Sequence, residues 1–303
     1  MERTPKYYLA VCYSEIKTDS EGSEETDPVI HAIRELPANE LRNLRRWIRK
    51  IVAYSENKNL FRALALNCQD FQNACNQYLR NYHETQVMDW DTMEQISMNL
   101  GRLFLNILNL FKCFLDHTRT TLTRRFRHKP SIVEKWVADA RKCYDGSFAY
   151  RFMCEVRDYG QHVGVPPLNL ELCSRGDARL IDTGDEISNF RVGLGTKPLL
   201  KDKKIFKKLA SEIKSHGQVV DLIPILEEWF TQVSALFEAR QEIEIRSARN
   251  AAKKIVSLRN EISAPEQAAM CIFKIPNDHG EDQLSPTMEW FPEREAEAIL
   301  KQL

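Results

Sequence analysis

Arg157, Asp158 and His162 stand within six residues of one another, in the run R-D-Y-G-Q-H. A guanidinium can hold a phosphate and offset charge that develops as a phosphodiester is attacked. An imidazole can take or deliver a proton near neutral pH. Together they suit attack by a ribose 2′-hydroxyl on its own phosphodiester, a route that needs no metal. Asp158 can orient either partner or face water. The structural alternative is that Arg157 pairs with Glu155 or Asp158 and that His162 caps a helix end. Five residues on an ideal helix mean about 7.5 Å of rise and about 140° of rotation, so the two side chains do not stack.

The stretch that must position them runs from Asp145 to Pro167. Phe148, Phe152, Val156, Tyr159 and Val163 recur at spacings of three and four, one face of an amphipathic helix. Asp145 is a candidate cap at its start, and Gly164, Pro166 and Pro167 stop it. Gly160 lies inside the motif and weakens helix there. Upstream, Asp91-Thr-Met-Glu94 fits a capping box. It opens a long helix through Met93, Ile96, Leu100, Phe104, Ile107, Phe111 and Leu115, the widest apolar face of the chain. That face belongs in the centre of a bundle or on the seam of a dimer.

R-D-Y-G-Q-H resembles the R-x4–6-H motif of the HEPN superfamily, whose members are small all-helical, ribonuclease-like or nucleotide-associated domains. Asp158 matches the family's habit of placing a polar residue after the arginine, although asparagine is the more usual choice. The order of a long apolar helix followed by a motif-bearing helix, over residues 90 to 165, is similar too. The resemblance implies metal-independent RNA cleavage, in a toxin or defence setting, at a cleft formed across a homodimer. Arg157 and His162 would then be catalytic and Asp158 supportive, with no cofactor and no metal. A non-catalytic helical scaffold, sensor or adaptor, or a nucleic-acid binder that does not cleave, is the competing expectation.

Two stretches supply cations for a polyanion. Arg42, Arg45, Arg46, Arg49 and Lys50 crowd a helix over 37–54, while Arg119, Arg124, Arg125, Arg127 and Lys129 form the densest basic run. His117 and His128 accompany the second, without a Cys, Asp or Glu at ligand spacing. Formal net charge over the 303 residues is zero, so any such attraction is local. The eight cysteines form no C-x-x-C pair and read as reduced, buried thiols of a cytoplasmic protein. No signal-peptide layout opens the chain, and no apolar run has the length of a membrane span. Walker A, H-E-x-x-H and G-x-S-x-G patterns are missing, and the G-x-G at Gly193 and Gly195 lacks a third glycine.

The expected fold is mainly α, a multi-helix bundle of long helices with a small antiparallel β element. The expected segments are 1–36, a strand over Lys6–Ile16 followed by an acidic loop; 37–167, the bundle, with separate helices over 37–54, 60–82, 91–129 and 131–143 before the motif helix; and 168–200, a hairpin or three-stranded flap around Gly176, Asp177, Gly184 and Asp185. Residues 201–263 then give a lysine-rich helix followed by a long one. Residues 264–303 form a tail whose run from Ala268 to Ile275 can pair with the first strand.

Overall fold

The computed structural model describes residues 5–18, 24–85, 89–173, 189–275 and 287–301. Gly176, Asp177, Gly184 and Asp185 lie outside the described residues. The chain is mainly α and divides into two compact units. One combines residues 1–56 with 242–303, and the other is continuous over 57–241.

In the first unit, β1 (Lys6–Thr18) is the aromatic and β-branched run expected as a strand. It pairs antiparallel with β2 (Glu24–Glu35) and with β6 (Ala269–Ile275), and β7 (Thr287–Trp290) extends the sheet to the order β2-β1-β6-β7. The expected partnership of the two ends of the chain is therefore present. Leu9 stands opposite Ile272 and Val11 opposite Met270, and all four are buried. Part of the expected acidic loop is instead strand β2. Its residues from Thr26 are mostly exposed, so it lacks the buried face by which a strand is recognised. The apolar side of this unit also draws on Leu41, Leu44 and Ile51 of α1 (Ala38–Thr85), on Ala248, Ala252 and Ile255 of α8 (Leu222–Glu261), and on Ile299 of α9 (Glu293–Leu300).

The stretch Ser55–Asn59 reads as a polar break, yet α1 is one helix of 48 residues. It contains neither glycine nor proline, so nothing in the backbone stops the helix. Asn57 is fully buried, and its Nδ2 donates to Thr118 Oγ1 at 3.0 Å. One helical turn away, Phe61 packs on Phe114 and stacks on Phe237 with ring centroids 4.0 Å apart. A polar residue that looked like a loop is thus the next layer of a helical core.

The core of the second unit is built on α2 (Trp90–Arg125), the predicted long apolar helix. Its true cap is Asp89, whose side chain accepts from Thr92 N at 2.8 Å, two residues before the expected capping box. Phe111, fully buried, meets Tyr150 and Trp229 edge to face at 5.5 and 5.0 Å. After α2 come α3 (Pro130–Gly146), with its proline in the first turn, and α4 (Phe148–His162). The flap is a three-stranded antiparallel sheet of order β3-β4-β5, from β3 (Leu168–Cys173), β4 (Asn189–Gly195) and β5 (Val219–Asp221). A Cβ on Gly193 would fall 2.3 Å from Val219 Cγ1 and 2.6 Å from the Val220 carbonyl oxygen, so only glycine lets β5 approach. The lysine-rich stretch is not one helix. It is α5 (Thr196–Lys201), α6 (Lys203–Phe206), a 3-10 turn and α7 (Ala210–Ser215), with Asp202 capping α6 through the amides of Lys204 and Ile205.

Candidate functional site

Ser147, not Asp145, caps α4. Its hydroxyl oxygen accepts from Tyr150 N at 3.0 Å and donates to Glu228 Oε1 at 2.6 Å. The serine side chain fits the cap because the residue itself is extended, with φ −128° and ψ 125°. Arg151 then ties the helix start down by donating to the carbonyls of Tyr144 and Asp145 and to Glu212. Ala149, Phe152, Met153 and Val156 are buried along one stripe. Gly160 continues that stripe one turn on. A Cβ there would lie 3.2 Å from Leu105 Cδ2 and 4.0 Å from Leu108 Cδ1 of α2. The glycine in the motif is therefore a packing residue, placed where α4 lies against Leu105 and Leu108 of α2.

Arg157 lies beside this stripe. Its side chain is only 16 % exposed, and its guanidinium is ion-paired with Asp158, which is 40 % exposed. Of the two carboxylates that the sequence offers Arg157, Asp158 holds it. Glu155 instead accepts from the Tyr144 hydroxyl at 3.1 Å. Around Arg157, burial pushes the Cys154 thiol up to about 12, opposed by the positive charge of Arg157, and burial raises the Tyr150 phenol as well. His162 is the last residue of α4 and is exposed. The Val163 and Gly164 amides both donate to the Tyr159 carbonyl and close the helix just behind it. Within one chain, then, the arginine is turned into a local ion pair while the histidine faces solvent.

The basic residues separate into two groups. On α1, Arg45 binds Glu289 through its Nε at 2.9 and 3.0 Å and lies 4.9 Å over the Tyr7 ring. That part of the first basic stretch is committed to packing. On the second stretch Arg119, Arg124, Arg127 and Lys129 are exposed, whereas Arg125 is half-buried. Arg119 and Arg124 belong to the last turns of α2, and Arg127 and Lys129 to the tight turn into α3, closed by Lys129 N donating to Phe126 O at 2.7 Å. None of these four exposed cations has a carboxylate within ion-pair distance among the described residues, although Lys112 and Asp116 pair one turn earlier. His117 is half-buried and His128 exposed.

Among the described residues, no three His, Cys, Asp or Glu side chains gather in a way that could hold a metal ion. The described cysteines whose thiols are placed, Cys12, Cys68, Cys75, Cys113, Cys143, Cys154 and Cys271, are free. No described helix is long and apolar enough to cross a membrane.

A further feature lies on the solvent side of α2. Trp90 and Met98 are 81 % and 70 % exposed on α2, off its buried stripe. The signal was present, because both are large apolar residues at positions that the helical period sends to solvent. They line a groove of about 910 Å³ with the segment Val165–Leu170. Comparison with protein-family models, with curated proteins and with solved structures finds no match to this chain.

Proposed function

We propose that this protein is a non-catalytic helical RNA-binding protein that grips the phosphate backbone with the basic end of α2. The supporting observation is the set of exposed cations Arg119, Arg124, Arg127 and Lys129, gathered over the last turns of one helix and the turn that follows. A helix C-terminus favours cations by a few tenths to about 1 kcal/mol each, which accounts for one or two of them. Four without a carboxylate leave most of that charge available to a polyanion. The ion pair of Arg157 with Asp158 supports the non-catalytic part of the reading, since the guanidinium is already neutralised where a scissile phosphate would need it.

Four phosphate contacts to a single strand give a salt slope of about −2.8, so affinity for a labelled single-stranded RNA should fall roughly fifty-fold between 50 and 200 mM salt. The variant Arg119→Gln/Arg124→Gln/Arg127→Gln/Lys129→Gln should bind weakly and with nearly flat salt dependence. Fluorescence anisotropy measures both. Binding by the wild-type protein that ignores salt, or a variant that keeps the full slope, removes the reading.

The exposed imidazole of His162 favours a second reading, the metal-independent endoribonuclease of HEPN type. There, a second copy of the chain would bring its own α4 end to the site, and Arg157 would leave Asp158 to meet the phosphate. Incubation with structured RNA in EDTA decides between them. This reading expects cleavage that His162→Ala abolishes. The binding reading expects intact RNA with either protein.

A further inference from the structure

The groove beside α2 has the features of an empty strand position. Its lining from the sheet is Leu168, Asn169 and Leu170, three consecutive residues of β3, with none from β4. Consecutive strand residues point to opposite faces, so a cavity that touches all three lies along the edge of β3 and not over one face. In the sheet order β3-β4-β5, no described strand pairs with that outer edge. Its N–H and C=O groups are a template for another strand.

The floor beyond the edge is supplied by α2. A Cβ on Gly101 would lie 3.3 Å from Val165 Cγ1 and 4.0 Å from Leu168 Cδ1, so α2 runs close beneath the start of β3. On the opposite side of the strand, Asn169 donates to Glu171 at 2.7 Å and Arg191 to Glu171 at 3.3 Å. Leu168 and Leu170 therefore mark the face turned to α2. Met98 and Leu105 of α2 and Val165 line the same groove, so a strand added to β3 would lie beside them.

Charge narrows the occupant further. Glu94 and Arg102 both line the groove and both are exposed. They stand eight residues apart on α2, about 12 Å. An extended chain covers that distance in about four residues at about 3.3 Å each. Residues i, i+2 and i+4 of a strand share a face, so a segment lying along α2 would meet Glu94 and Arg102 with a cation and an anion four apart and an apolar residue between them.

We propose that the groove binds an extended segment of another protein by strand addition to β3, the segment carrying a basic and an acidic residue four apart with an apolar residue midway. Backbone pairing supplies affinity, and the three side chains facing α2 supply selectivity. The proposal is independent of the RNA reading, because the basic end of α2 takes no part in it.

The test uses the full chain and two labelled peptides, Gly-Ser-Lys-Val-Leu-Val-Glu-Ser-Gly and the same residues in reverse order, since strand direction is open. One order should bind saturably by fluorescence anisotropy. Met98→Glu, at an exposed position that leaves the core intact, should weaken it roughly tenfold or more, the loss of about 1.4 kcal/mol or more. Methylating the backbone nitrogens of all five central residues, Lys-Val-Leu-Val-Glu, which removes the N–H donors on both edges of the strand, should abolish binding. The charge reversal Glu94→Arg/Arg102→Glu should transfer preference to a peptide with its Lys and Glu exchanged. The proposal is overturned if neither peptide binds, if binding survives backbone methylation and Met98→Glu, or if sedimentation shows a dimer that Met98→Glu dissociates. The last result would make a second copy of this chain the occupant.

Discussion

Phe111→Ala is expected to destabilise the unit over residues 57–241 by about 3–5 kcal/mol, the range for truncating a buried phenylalanine. Phe111 has no exposed surface, and its ring sits between Tyr150 and Trp229 with edge-to-face geometry to both. Removing it leaves a cavity bounded by two large aromatic rings on different helices, α4 and α8. Neither ring can collapse into the space without losing its own contacts. Phe111→Leu keeps most of the volume and should cost far less. Urea unfolding followed by near-ultraviolet circular dichroism measures the difference. A Phe111→Ala midpoint within error of wild type would show that this contact does not hold α2 to α4 and α8.

The second large effect concerns the ion pair in the motif. Asp158→Ala should cost about 1–2 kcal/mol, because it strands a mostly buried guanidinium without its carboxylate. The figure is at the low end for a broken pair because Asp158 is itself 40 % exposed and screened by water. Arg157→Met keeps the packing of the aliphatic stem and removes the charge, so it should be close to neutral. In the Arg157→Met/Asp158→Ala double variant most of the Asp158→Ala loss should be recovered, giving a coupling of about 1 kcal/mol in thermal or urea unfolding. A coupling of zero would show that Arg157 does not depend on Asp158 in solution. The arginine would then be free to face a phosphate, as the ribonuclease reading needs. The cycle therefore bears on function through a stability measurement, without requiring that the RNA substrate be known.

A packing role for Gly160 has the same bearing. A glycine within a catalytic helix invites an explanation through flexibility. The 3.2 Å approach of its would-be Cβ to Leu105 gives a simpler one, contact between helices. Arg157 and His162 then sit on a helix anchored from Ser147 to Gly160, and the exposed end begins only beyond it.

What the chain spells out locally was legible: the apolar stripe of α2, the stripe and end of α4, the β1–β6 partnership and the flap strands β3 and β4. Each follows from a period of 3.6 or 2 in side-chain polarity, with glycine and proline as stops, and such patterns are carried by neighbours in sequence. Errors arose where a polar residue serves the core. Asn57 reads as a helix end in the sequence because its partner, Thr118, is 61 residues away. Strand β2 is hidden in the sequence because its residues from Thr26 are mostly exposed. The sequence by itself also determined that Arg157 had two adjacent carboxylates to choose from and that the basic residues cluster from 119 to 129. Only the tertiary structure decided that Asp158 takes the guanidinium, that Arg45 pairs with Glu289 while Arg119, Arg124, Arg127 and Lys129 stay exposed, and that no described strand pairs with the outer edge of β3. Ion pairs, close helix approaches and unfilled strand positions depend on which distant segments arrive at the same place, and no local period records that.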